Sequence, residues 1–317
     1  MTASVYPEIA VDRTRWILER RGPRNAVSAV QPVNALLEEE RMADGEIARV
    51  ATLFLTNREC PWTCVMCDFW GNTSPVPPGS IPRQIREALP RCGGASLLKL
   101  YNSGSFFDAG AIAKSDWPEI ASLCKRFRHV IVECHPRLVG EEALRFRDLL
   151  RPATLEVAMG LETSHPGALE RLNKRVAVDD FARAAEFLRA HEILVRTFLL
   201  VGVPFVPREA QREWLEKSIE FSLACGSSVV SLIPTRTGNG ALDALALTGD
   251  FSEPRLSEIE QAQEVGIQRN LGRVFADTWD LRRFADCEQC ASARCERVHR
   301  MNLSQQIESR ALCACGS

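Results

Sequence analysis

The chain has 317 residues, 45% of them hydrophobic and 25% charged, and a formal net charge of −2. That balance is ordinary for a folded globular protein and argues against a broadly basic surface of the kind that grips nucleic acid, although a local patch remains compatible with it. No apolar run approaches the ~20 residues that span a bilayer, and residues 1–23 mix charges without an apolar signal region, so the expectation is a cytoplasmic protein with no membrane partner.

The length suits one large α/β domain or two smaller ones. Residues 1–45 hold two charged, helix-like stretches, 13–20 and 33–42, and predict a helical lead-in that ends at the Asp44-Gly45 turn. From there short strands rich in β-branched residues and leucine alternate with amphipathic helices. Strands are expected near 49–55, 96–101, 129–133, 154–160, 195–201 and 228–233, and helices near 117–127, 141–150, 178–191, 208–225 and 256–273. In 178–191, Phe181, Ala184, Ala185, Phe187 and Leu188 recur at helical spacing, the mark of a core-facing stripe. Strand–helix alternation predicts a parallel sheet with helices outside it. Six units predict an α/β fold of partial (β/α)6, TIM-like barrel type. Its expected divisions are an N-terminal helical extension (1–45), the barrel (46–245) and a Cys-rich C-terminal cap (246–317) over the opening.

In such a barrel the working groups gather where the strands end, and here every strand end is polar or glycine-rich. The first strand runs into Cys60-x3-Cys64-x2-Cys67. The next four run into Asn102-Ser103-Gly104-Ser105, Glu133-Cys134-His135-Pro136-Arg137, Gly160-Leu161-Glu162-Thr163 and Gly202-Val203-Pro204, and the sixth into 234–240. Three thiolates in one short loop can hold three irons of a [4Fe–4S] cube and leave the fourth iron open for a ligand. Zinc sites usually show paired Cys-x2-Cys elements and four ligands, and no fourth Cys or His follows within about twenty residues. A zinc site and plain buried thiols are the competing readings.

Twelve cysteines in a long chain with no export signal point to metal ligation rather than a disulfide framework. Cys92, Cys124, Cys134 and Cys225 are isolated and read as core or surface thiols. The tail carries Cys287-x2-Cys290-x4-Cys295 and Cys313-x-Cys315, a second metal site for zinc or another iron–sulfur cluster. Cys287, Cys290 and Cys295 are expected to contribute together with at least one of Cys313 and Cys315, and His299 is a spare donor.

The triplet at the end of a first strand, followed by barrel units, resembles the radical S-adenosylmethionine enzymes. Tyr101-Asn102-Ser103-Gly104-Ser105-Phe106-Phe107-Asp108, Gly160-Leu161-Glu162-Thr163 and Leu172-Asn173-Lys174 are similar to the branch related to the elongator catalytic subunit, and most of all to the archaeosine-synthesis radical lyase group, which acts on a modified tRNA base. The resemblance covers roughly 40–245. It implies a [4Fe–4S] cluster on Cys60, Cys64 and Cys67, S-adenosylmethionine chelating the open iron, and reductive cleavage to a 5′-deoxyadenosyl radical that abstracts a substrate hydrogen. It also implies a reductant such as flavodoxin or ferredoxin.

By position, Ser103-Gly104-Ser105 stands where the family's Gly-Gly-Glu binds the methionine amine, a departure from the usual pattern. Glu162 is placed for ribose hydroxyls, Arg196 for the methionine carboxylate, and Gly202 and its neighbours for adenine. Each has a plainer reading: a surface carboxylate for Glu162, a salt bridge for Arg196. His135 is an acid–base group or a hydrogen-bonded structural histidine. Lys174 and Arg175 are expected to face solvent more than substrate. The substrate is either a modified tRNA base or, given the near-neutral charge, a small molecule or peptide. A non-catalytic iron–sulfur or zinc scaffold is the alternative from another class.

Overall fold

A computed structural model describes residues 5–315. One sheet of eight strands, in spatial order identical to chain order, forms its frame: β1 (Asn34–Arg41), β2 (Ile47–Leu55), β3 (Leu97–Asn102), β4 (His129–Glu133), β5 (Thr154–Glu162), β6 (Leu194–Val201), β7 (Val229–Pro234) and β8 (Arg273–Ala276). β1 is antiparallel to β2, and all later neighbours are parallel. The ten α-helices among the described residues are α1 (Ala10–Leu18), α2 (Ser80–Ala88), α3 (Trp117–Cys124), α4 (Glu141–Leu150), α5 (Pro166–Arg171), α6 (Val178–Ala190), α7 (Gln211–Ala224), α8 (Ala241–Thr248), α9 (Leu256–Arg269) and α10 (Glu288–Ser304). The partial barrel expected from the strand–helix alternation is therefore present, and β2 to β7 are its six expected strands.

Alternation along the strands sorts residues between two faces. Leu53, Leu55, Leu98, Leu100, Val130, Val132, Val157, Met159 and Val195 join the outer core against the helices. The stripe on α6 enters the same core through Phe181, Ala184, Ala185 and Leu188. The inner face carries Thr52, Phe54, Lys99, Tyr101, His129, Glu156, Arg196 and Phe198, whose ion pairs and ring contacts run across the concave side.

Two expectations are corrected. The stretch 33–42 is β1, not a helix. Its leucines and glutamates favour helix locally, but Glu40 faces inward, where it meets Lys99 and Arg196, and tertiary pairing overrides local propensity. At the other end, the helix expected to reach residue 273 stops at Arg269. Asn270 adopts a left-handed cap (φ 49°), and Arg273 begins an eighth strand beside β7. The C-terminal region thus extends the sheet. α10 rests against both β1 and β8, bridging the two edges of the open barrel, with Val298 and Met301 buried in the main core.

Candidate active site

The cysteine loop leaves β2 at the end where all the parallel strands terminate. Its backbone is held from three sides. Val65 N–H donates to the Leu172 carbonyl at 3.0 Å. The Asn239 amide, beyond β7, donates to the carbonyls of Val65 at 2.8 Å and Cys67 at 3.3 Å. The Asn173 amide donates to the Thr63 carbonyl at 2.8 Å and to Thr14 of α1 at 3.1 Å. Beneath the loop a second apolar core joins Val65 to Tyr6, Trp16 and Ile17 of the N-terminal arm, to α5 through Leu169, and to α8 through Leu242. The arm therefore straps the loop onto the barrel mouth.

Burial raises all three thiols above their ordinary range, Cys67 to about 12. Metal or cluster binding there must release protons. Among the described residues only the tail cysteines bring their sulfurs within 4.8 Å of one another as a group, so the loop thiols do not converge on a single-ion site. Three separated soft donors suit a larger iron–sulfur group.

Opposite the loop stands a buried ion pair, Lys174 Nζ to Glu162 Oε1 at 2.5 Å. The chain builds it with a bulge: the β5–β6 register shifts between Gly160 and Glu162, and Glu162 takes a left-handed φ of 69°. Gly160 leaves the room, because a Cβ there would collide with Glu162 Oε1 and Lys174 Nζ. Burial alone would pull the Lys174 ammonium down, but the Glu162 carboxylate and the nearby Cys64 and Cys60 hold it above its usual value. Lys174 is 9% exposed, which overturns the expectation that it faces solvent; Arg175, next to it, is exposed. The signal was the Leu172-Asn173-Lys174 string itself.

Two wall residues went unassigned from sequence. Glu133, at the end of β4, accepts from Asn102 N–H at 2.9 Å, and burial pushes its carboxyl up to about 8, so it is largely protonated at neutral pH. Asn102 is 4% exposed, and both its amide N and O are buried without a protein partner. This amide, beside Gly104 and Cys60, has a donor and an acceptor that no protein group uses. The sequence signals were their strand-end positions and, for Asn102, its place in the Tyr101–Asp108 string.

His135 resolves as structural. Its ring stacks on Trp62 of the cysteine loop, with centroids 3.8 Å apart and planes 5° from parallel. Nδ1 accepts from Arg137 N–H, which leaves Nε2 to donate to the Lys174 carbonyl at 3.0 Å. Burial and then the Lys174 charge lower it to about 4, so it is neutral.

Of the other sequence candidates, three stay beside the cysteine loop and Gly202 and Arg196 do not. Ser103 Oγ donates to the Phe69 carbonyl, Ser105 Oγ accepts from His135 N–H, and Gly104 lies with its would-be Cβ 3.3 Å from Cys60 Cβ. These three line the wall beside the cysteine loop. Gly202 faces Pro254, whose Cδ would stand 2.8 Å from an added Cβ, so its missing side chain makes room for the chain and not for a ligand. Arg196 is corrected outright. It lies two residues into β6, far down the strand from the mouth, 2% exposed, and pairs with Glu40 and Glu156, each at 2.5 Å. The salt-bridge reading holds. In the tail, Cys287, Cys290, Cys313 and Cys315 converge, while Cys295 does not: it follows Cys290 by five positions, ~140° around the helix, and packs against the main core. His299 is exposed and lies beside Glu39 and Arg49. Cys92, Cys124 and Cys134 are buried free thiols and Cys225 is partly buried, as expected.

No protein-family model matches the chain. Archaeosine synthase subunit beta of Methanosarcina acetivorans is 23% identical over 294 residues, covering 86% of this chain and 85% of that protein. Among solved structures, a queuine lyase from Clostridium spiroforme bound to SAM and queuine aligns with a TM-score of 0.50 and 20% identity over 67% of this chain and 83% of its own. The archaeal Methanocaldococcus infernus Elp3 aligns at 0.51 and 15% over 71% and 59%, and methylornithine synthase at 0.53 and 14% over 71% and 64%. These likenesses bear out the barrel fold and the resemblance read from the sequence.

Proposed function

We propose, from the premise that this chain has the radical S-adenosylmethionine enzyme fold and is related to archaeosine synthase subunit beta along most of its length, that it is a radical enzyme acting on a modified nucleobase. The observation that carries the reading is a pair of features at one barrel mouth: three thiols on one short loop, and the buried Glu162–Lys174 pair whose charge reaches Cys64 and Cys60. The donors fit the group. Cys60, Cys64 and Cys67 would hold a [4Fe–4S] cluster, and the orphaned Asn102 amide and the Glu162–Lys174 pair supply the polar wall that a bound S-adenosylmethionine needs. When bound, the cluster and S-adenosylmethionine would together supply one-electron chemistry and hydrogen abstraction from the substrate.

The chain's own residues position and shield. Lys174, held through its carbonyl by His135, offers a cation for the methionine carboxylate, the role that the resemblance implied for Arg196. Glu162 offers two acceptors for ribose hydroxyls. Protonated Glu133 is a donor in the same wall. Trp62, Trp16 and the arm keep water from the loop. Deeper in, Phe54, Tyr101 and Phe198 meet edge to face, with centroids 6.1 and 6.0 Å apart, an aromatic lining suited to a planar ring. A one-electron donor of flavodoxin or ferredoxin type would supply the electron. No helix among the described residues is long and apolar enough to cross a membrane.

The test is reconstituted protein with dithionite and S-adenosylmethionine, with tRNA or free modified base added. Production of 5′-deoxyadenosine stimulated by one of them supports the reading, and salt-sensitive tRNA binding distinguishes tRNA from the free base. An intact cluster that yields no 5′-deoxyadenosine favours the scaffold alternative.

A further inference from the structure

We propose that the C-terminal tail is fastened to the start of α10 by a single tetrahedral zinc ion on Cys287, Cys290, Cys313 and Cys315, a centre separate from the barrel mouth and independent of the function proposed above. The four sulfurs lie within 4.8 Å of one another, with Cys287 3.9 Å from Cys313 and Cys290 3.7 Å from Cys315. A zinc–sulfur bond of about 2.3 Å gives a tetrahedron with edges of about 3.8 Å. The Cys287–Cys313 and Cys290–Cys315 spacings match that edge. A cubane cluster carries its cysteines on separate irons, so their sulfurs stand farther apart. No disulfide joins these four cysteines.

The local structure supports a compact anionic centre. Cys287 is the N-cap of α10, and Cys290 lies in its first turn. Their Cys-x2-Cys spacing turns both sulfurs to one side, at the helix end that favours negative charge. One turn further on, four positions after Cys290 on the same helix face, stands Arg294, 2% exposed and braced by Glu260 and Asp286. Four thiolates around a divalent ion leave two negative charges, and Arg294 places a cation against them.

The tail has little else to hold it. After the end of α10 it forms no helix or strand among the described residues. Arg297 clamps the carbonyls of Glu308 and Ser309, and Arg310 reaches Glu264 at 3.2 Å. Beyond that, Leu312 is fully exposed, so apolar burial does not return the chain to α10. A metal bond does what burial cannot.

The experiment is metal analysis of the full chain purified without oxygen, for the parent and two variants. One zinc per chain is expected alongside the iron of the barrel mouth. In Cys313→Ser/Cys315→Ser the zinc should be lost, the iron kept, and tryptic cleavage after Arg310 accelerated at least 10-fold. Cys295→Ser should keep both metals. Cobalt in place of zinc should give the visible bands of a tetrahedral thiolate site. A second cluster's worth of iron with no zinc, a single iron, disulfides in place of metal, zinc retained in the tail variant, or zinc lost in Cys295→Ser would each overturn the assignment.

Discussion

Replacing Arg196 by methionine separates two accounts of the barrel interior. In the structure Arg196 joins three strands: its guanidinium bonds Glu40 of β1 and Glu156 of β5 from its seat on β6. Glu40 keeps Lys99 at 2.8 Å, and Glu156 keeps His129 at 3.1 Å. Methionine fills similar volume but leaves two buried carboxylates with one partner each. Removing one member of a buried charge network costs ~3–5 kcal/mol, mostly through the groups left behind. At an unfolding entropy of ~2.1 cal/mol/K per residue, 317 residues convert that to a fall in Tm of ~4–8 °C. The assay is thermal and urea unfolding of the apo-protein, paired with S-adenosylmethionine binding to the reconstituted protein. Adding Glu40→Gln should return part of the loss. Unchanged stability with weakened cofactor binding would refute the reasoning, because it would restore Arg196 to the mouth.

Other expectations follow from the same geometry. Cys64→Ser should abolish cluster assembly and 5′-deoxyadenosine formation, whereas Cys124→Ser, in the outer core, should spare both; iron counting decides. Glu162→Gln should weaken S-adenosylmethionine binding ~10–100-fold, the loss of a charged hydrogen bond in a buried site, read by equilibrium binding; unchanged affinity would remove Glu162 from the pocket. Acid should unfold the protein through the network below. Although burial works against it, Arg196 and then His129 hold Glu156 down at about 2, and Glu40 is held low by Arg196 and Lys99. Folded values below the unfolded ones mean stability present above about pH 4.5 and lost as pH falls toward 2, on the order of 3 kcal/mol from Glu156 alone. Urea midpoints between pH 7 and 3 should show it, with a flatter acid limb in Arg196→Met. His135, neutral across the working range, should contribute no limb to a pH–rate profile near 6.5, and His135→Asn should keep activity within about 3-fold by preserving a donor to Lys174.

What the sequence disclosed was what repeats or clusters locally. β2 to β7 showed as apolar runs between turns, and the cysteine loop as a spacing. What it concealed depends on partners distant in the chain. Nothing near residues 33–42 tells a glutamate-rich helix from a strand; the difference is Lys99 and Arg196, contributed by β3 and β6. Arg196 itself could have been placed, since it lies near the start of its strand while the mouth lies at the other end. Lys174 looked like a surface cation because its partner, Glu162, is brought round by a bulge that no local pattern announces. Cys295 counted as a fifth donor until the helical phase of α10 turned it toward the core.

The most direct test of the whole account is electron paramagnetic resonance of the reduced, anaerobically reconstituted chain before and after S-adenosylmethionine is added. A [4Fe–4S] signal that depends on Cys60, Cys64 and Cys67 and changes shape when the ligand binds is the predicted result. A signal indifferent to the ligand, or a protein that assembles no such cluster, would contradict it.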